Sequence, residues 1–148
     1  MQVFRNMLSR LCDLESDKHG PWLADYPGFG LLLRLTIPSL LYPLQSDGRK
    51  LKPCLVHGNL SISNIGVNVA TGNPVFFSPA SLYAHNEFEL GAWHLKTEPL
   101  DLAYFGEYRR HFPPSEPVEQ WDDRIRLYSI KFNLAHLLLA DIPQIKEQ

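Results

Sequence analysis

The chain has little of several things that would place it quickly. Only two of its 148 residues are cysteines, Cys12 and Cys54, far apart and without metal-ligand spacing. That argues against a disulfide framework or a cysteine metal site and makes a reducing intracellular setting the expectation. Neither sign of charge is in excess: 14 Lys and Arg against 16 Asp and Glu leave a net charge of −2. A polyanion partner such as nucleic acid needs a basic footprint, and there is none. No apolar run has the length of a membrane span. The opening MQVFRNMLSRLCDLESD lacks the unbroken apolar stretch of a signal peptide. A soluble, cytoplasmic protein with no membrane partner is expected. No internal repeat is visible.

What is there belongs to a globular protein: 45% hydrophobic and 11% aromatic residues, in a length that predicts one domain over residues 1–148 with a real core. Val3, Phe4, Met7, Leu8, Leu11 and Leu14 fall at helical spacing, and the helix should stop near Ser16 to Pro21. Trp22 to Gly30 reads as irregular. A second helix is predicted from about Phe29 to Leu44, kinked or restarted by Pro38, before a turn at Ser46 to Arg49. Downstream, Ala84 to Trp93 should begin as a loop and become helical, and Lys96 to Pro99 should be a break. Leu100 to Phe112 reads as a helix that stops at Pro113-Pro114. The last strong element, Glu119 to Leu139, is apolar on nearly all faces from Leu127 onward, which predicts the central buried helix.

The informative stretch is PCLVHGNLSISNIGVNVATGNPVFFSPAS, residues 53–81. Cys54-Leu55-Val56 reads as a buried strand that ends at His57-Gly58. Asn59, Ser61, Ser63 and Asn64 then crowd polar side chains into six positions. Ile65 to Val69 should turn at residues 70–73 and return through Val75 to Phe77. Such a hairpin brings loop 57–64 and Ser78-Pro79 together at one end of a small sheet.

These residues carry a resemblance. HGNLSISN resembles the catalytic loop HGDLxxxN of the aminoglycoside-phosphotransferase and protein-kinase-like superfamily. FFSPAS with LYAHNEFELG resembles the metal-binding segment of its fructosamine/ketosamine-3-kinase (protein-ribulosamine 3-kinase) branch. The likeness extends more weakly from about Val3 to Asp141. It implies an α+β, mostly helical fold: the C-terminal lobe of a kinase-like protein, with a small β-hairpin at the catalytic loop. It implies ATP and Mg²⁺ as cofactors, and a ketosamine or glycated protein as partner. Asn59 stands at the loop's base position, Asn64 at the metal-binding asparagine and Ser78 at the metal-binding aspartate. His57 and Gly58 belong to the loop, and Glu87 and Glu89 are the acids of the run that follows. Glu89 is expected to bond the loop backbone.

The two departures decide what the site is expected to do. An asparagine can orient a hydroxyl but cannot take its proton near neutral pH, and losing a positioned base costs roughly 10²–10⁴-fold in rate. Magnesium relies on one or two carboxylates beside phosphate oxygens, and Ser78 brings no charge, so ATP and Mg²⁺ should bind weakly or not at all. Gly28-Phe29-Gly30 lacks the third glycine of a phosphate loop, and no valine-alanine-x-lysine strand is present. The nucleotide-binding lobe is therefore expected to be absent. Three readings follow: an inactive relative, a residually active kinase, or an interaction module using the surface that faces the absent lobe.

Among the remaining residues, His57 reads as a loop-structuring group and His85 as a hydrogen-bonded framework histidine. His94, His111 and His136 read as ordinary surface or core residues. Cys54 reads as a small inert apolar side chain. Trp22, Trp93 and Trp121 are expected to pack rather than to line a pocket.

Overall fold

A computed structural model describes residues 1–21, 23, 25–94, 100 and 102–139. The fold is α+β and mostly helical, with two small antiparallel sheets. Helix α1 spans Gln2–His19 and buries Phe4, Leu8, Cys12 and Glu15, while Val3 and Leu14 at the stripe edges are exposed. It ends where the stop signal lies: Gly20, at φ 93°, donates its N–H to the Ser16 carbonyl at 2.9 Å. Glycine reaches that φ without steric cost.

Helix α2, Pro27–Leu31, begins two residues before the predicted start, because Pro27 is pre-set for a first helical turn. Gly28-Phe29-Gly30 is therefore helical. Helix α3, Ile37–Leu41, carries Pro38 in its first turn. Proline has no N–H to give, and its ring would crowd the carbonyl four residues back. The chain relieves this by widening into a π turn over Leu32–Thr36, where the Ile37 N–H reaches back to the Leu32 carbonyl.

Strand β1, Cys54–Val56, was expected to be buried, but only Val56 is; Leu55 is 64% exposed. The reason is its partner. It pairs antiparallel with strand β4, Leu82–Ala84, whose last residue was expected to open a loop, and among the described residues the sheet has these two strands, with one face on the core. Strands β2, Ile65–Val67, and β3, Pro74–Phe76, form the predicted hairpin, in register Ile65 opposite Phe76. Its turn hangs on Asn68, whose side-chain oxygen accepts the N–H of Ala70 at 2.9 Å. The hairpin is a separate sheet from β1, so loop and hairpin meet through hydrogen bonds rather than through one continuous sheet.

Asn86–His94 is helical as expected, but wound as a nine-residue 3₁₀ helix, long for that type. It lies against helix α5, Trp121–Leu139, at the centre of the fold. Gly91 makes this approach possible, since a Cβ there would stand 2.7 Å from the Tyr128 backbone. Helix α4, Leu102–His111, stops before the proline pair. Helix α5 is buried at Leu127, Tyr128, Phe132 and Leu134, within the stretch expected to be buried, and also at Trp121, Arg124 and Ile125 before it; its end opens out, with Leu139 85% exposed. The core is aromatic, with Phe4 edge-on to Tyr128 at 5.2 Å and Phe88 beside Phe132 at 5.2 Å. The break expected at Lys96 to Pro99, together with Trp22 and Asp141, lies outside the described residues. Among the described residues no helix is long and apolar enough to cross a membrane.

Candidate functional site

Strand β1 delivers the chain into the loop at His57, and the return from β3 seats Ser78 beside it. Phe77 N–H donates to the Asn64 carbonyl at 3.1 Å and Ala80 N–H to the His57 carbonyl at 2.9 Å. The His57 ring donates from Nε2 to the Phe77 carbonyl at 3.1 Å. That bond fixes the tautomer and leaves Nδ1 as an acceptor, buried and without a partner among the described residues. Gly58 has φ 74°, and a Cβ would stand 2.3 Å from the Ala80 carbonyl oxygen, so no other residue fits.

Three side chains meet on the open side of this arrangement. Asn59 donates its amide N–H to the Ser78 carbonyl at 3.1 Å, and Asn64 donates to the Asn59 carbonyl at 2.7 Å. Both amides thus have their nitrogens engaged, which leaves each Oδ1 as the acceptor it can offer. Ser78 adds a hydroxyl on a backbone held at φ 54°, a region that non-glycine residues rarely adopt. Ser61 and Ser63 bond each other, Oγ to Oγ, at 2.7 Å nearby. All of these groups are neutral.

The two acids of the following segment lie beneath, not within, that cluster. Glu89 is buried, and its carboxylate accepts the backbone N–H of His57 through Oε2 and that of Gly58 at 3.0 Å through Oε1. Glu87 is wholly buried and forms a fork-to-fork pair with Arg124 of α5, at 2.6 and 2.9 Å. It also accepts the Ser115 N–H at 2.8 Å, while Arg124 donates onward to the Ser115 and Pro117 carbonyls at 2.7 Å each. The same network holds His85, with Nδ1 3.0 Å from the Tyr128 hydroxyl and Nε2 2.9 Å from the Ser115 hydroxyl. Burial pushes the His85 imidazole down to about 4, against the opposing pull of Glu87. Burial pushes the Tyr128 hydroxyl up. Among the described residues no three His, Cys, Asp or Glu side chains converge as a metal site would require.

Sequence reasoning missed two features of the loop's setting. Lys131 lies over the Phe132 ring at 4.0 Å, with its ammonium 3.4 Å from the Gly58 carbonyl. Burial lowers its pKa, and Glu89 opposes that shift. A lone cation in the otherwise apolar half of α5 was the available signal. The second is Trp93, buried as expected, whose indole N–H donates to the Leu60 carbonyl at 3.1 Å and so pins the loop from the far side.

The arrangement is therefore a strand-end loop of amides and hydroxyls, held from below by a buried carboxylate. Comparison with known proteins places it. A family model described as fructosamine kinase matches residues 37–142, and the chain belongs to that family. It is 43% identical over 89 residues to a chloroplastic protein-ribulosamine 3-kinase of Oryza sativa, across 60% of this chain and 25% of that protein. It is 29% identical over 104 residues to the ketosamine-3-kinase of Mus musculus, across 70% of this chain and 30% of that one. A probable ketoamine kinase of Staphylococcus aureus is 29% identical over 87 residues, 28% of its length. The matched region thus spans under a third of each of these relatives.

Proposed function

We propose that residues 1–148 correspond to the catalytic-loop lobe of a ketosamine kinase and form a scaffold that does not transfer phosphate. One observation carries this reading: the side chains that meet at the loop are Asn59, Asn64 and Ser78, while the nearby carboxylates, Glu87 and Glu89, are engaged with Arg124 and with backbone amides. That donor set does not fit a magnesium ion, which keeps several of its waters and is held through one or two carboxylates beside phosphate oxygens. Nor can the Asn59 amide accept the proton of an attacking sugar hydroxyl. His57 is no substitute base, since its ring is turned to the Phe77 carbonyl and its free Nδ1 is buried. What the loop can still do is orient hydroxyl groups with neutral acceptors.

The test is a thermal titration with ATP and Mg²⁺. A ligand at 100 times its dissociation constant adds about 2.7 kcal/mol, which for a domain of this size raises the melting temperature by about 5–10 °C. No shift is expected, and a shift of that order overturns the reading. Restoring Asn59→Asp and Ser78→Asp together is expected to leave ATP turnover at background, because helical Gly28-Phe29-Gly30 forms no phosphate cradle. Turnover by the double variant would show that the two substitutions alone silence the chain.

A further inference from the structure

Glu89 supports the loop with a charge that its hydrogen-bond partners do not neutralise. It is buried, and its two oxygens accept the backbone N–H groups of His57 and Gly58. Backbone amides bond a carboxylate without cancelling its charge, and a charge kept from water without a counter-charge is costly. Arg124, the buried cation nearby, is spent on Glu87, to which it bonds fork to fork.

The opposite charge comes from further along α5. Lys131 is half-buried, and its ammonium stands 3.4 Å from the Gly58 carbonyl. That distance is long for a hydrogen bond, so what Lys131 brings to the loop is charge more than a tight contact. Gly58 is thus addressed at both ends, its N–H by Glu89 and its carbonyl by Lys131. Burial lowers the Lys131 pKa and Glu89 opposes that shift, which puts the carboxylate within electrostatic reach of the ammonium. The Phe132 ring at 4.0 Å and the Phe88 ring at 5.6 Å hold the ammonium on this side of the helix.

The Gly58 carbonyl belongs to the peptide that leads into Asn59. The Asn59 side chain donates to the Ser78 carbonyl at 3.1 Å, and its own carbonyl accepts the Asn64 amide at 2.7 Å. A turn of that one peptide is therefore passed to all three polar groups of the site. We infer that Lys131 is the counter-ion of Glu89 and a positioning residue of the loop: its charge, set across the Gly58 peptide, keeps the buried carboxylate in place and with it the amide of Asn59. This rests on the reading of residues 57–64 and Ser78 as the chain's site. Its test uses no nucleotide, so an ATP-induced shift that overturned the scaffold reading would leave it intact.

The experiment is a double-mutant cycle read by denaturant unfolding, with NMR of the folded chains. Lys131→Met keeps the stem over the aromatic rings and removes the charge. It is expected to lower the folding constant at least about 5-fold more in the unaltered chain than in Glu89→Gln, a coupling of the size found within one network. If Lys131 served only to cover Phe132, its contact with the ring would be lost equally in both backgrounds, and additive costs would overturn the inference. In folded Lys131→Met, the side-chain amide resonances of Asn59 are expected to move, and exchange at the Gly58 N–H to accelerate more than exchange along α5. A general loss of stability would produce neither. Unmoved Asn59 resonances would overturn the positioning role, and they decide the matter alone if Glu89→Gln does not fold.

Discussion

Residues 85–93 with α5 and residues 57–81 are two polar regions built on opposite terms. In the first, the central polar groups are enclosed and answered: Glu87 and Arg124 are wholly buried and bonded fork to fork, and His85 is held between two hydroxyls. In the second, Asn59, Ser61, Ser63 and Ser78 sit at the surface, carry no charge and use part of their hydrogen-bonding capacity on each other and on backbone. Glu87 and Glu89 hold the chain together from beneath, while the loop above presents amides and hydroxyls. A framework and a site can therefore part company, because different residues answer for each.

That contrast can be broken from its strong side first. Glu87→Ala should destabilise the chain by about 3–5 kcal/mol, the cost of leaving a buried charge without its partner, and urea unfolding would register it. The next largest effect is one of pH. With its pKa at about 4 when folded, below the ordinary His value, His85 binds its proton later than the same residue in the unfolded chain. Its contribution is complete above about pH 6.5 and lost as pH falls towards 4, by about 3 kcal/mol in total. Urea midpoints at pH 7 and pH 4.5 should separate accordingly, and His85→Asn should flatten the difference.

Glu89 joins the two regions and should give an intermediate value. Glu89→Gln replaces charged acceptors of the His57 and Gly58 amides with a neutral one, at a cost of about 1.5–3 kcal/mol. Hydrogen exchange at those two amides should accelerate far more than exchange along α5. At the weak end, Asn59→Asp or Ser78→Asp alone should change stability by no more than about 0.5 kcal/mol, as surface substitutions do. A loss of 2 kcal/mol or more at either position, measured by denaturant, would erase the distinction between framework and site.

The site was more legible in the sequence than its supports. Spacing along 53–81 marks loop, hairpin and return because each is local, set by Gly58, by the turn at 68–73 and by alternating apolar residues. Strand β4 was missed because three residues, Leu82-Tyr83-Ala84, carry no periodicity, and its pairing with β1 spans a gap of about thirty residues. The Glu87–Arg124 pair joins residues 37 apart, and no local pattern announces such a partner.

Ser78 adds something about what the loop's backbone tolerates. Its φ of 54° is a conformation that asparagine and aspartate visit far more readily than serine. The backbone thus keeps a shape better suited to an acidic or amide residue than to the one it now holds. Asparagine or aspartate at position 78 would relax that backbone strain, so homologues of this chain should accept serine, asparagine or aspartate there while keeping Gly58, whose Cβ would strike the Ala80 carbonyl, fixed.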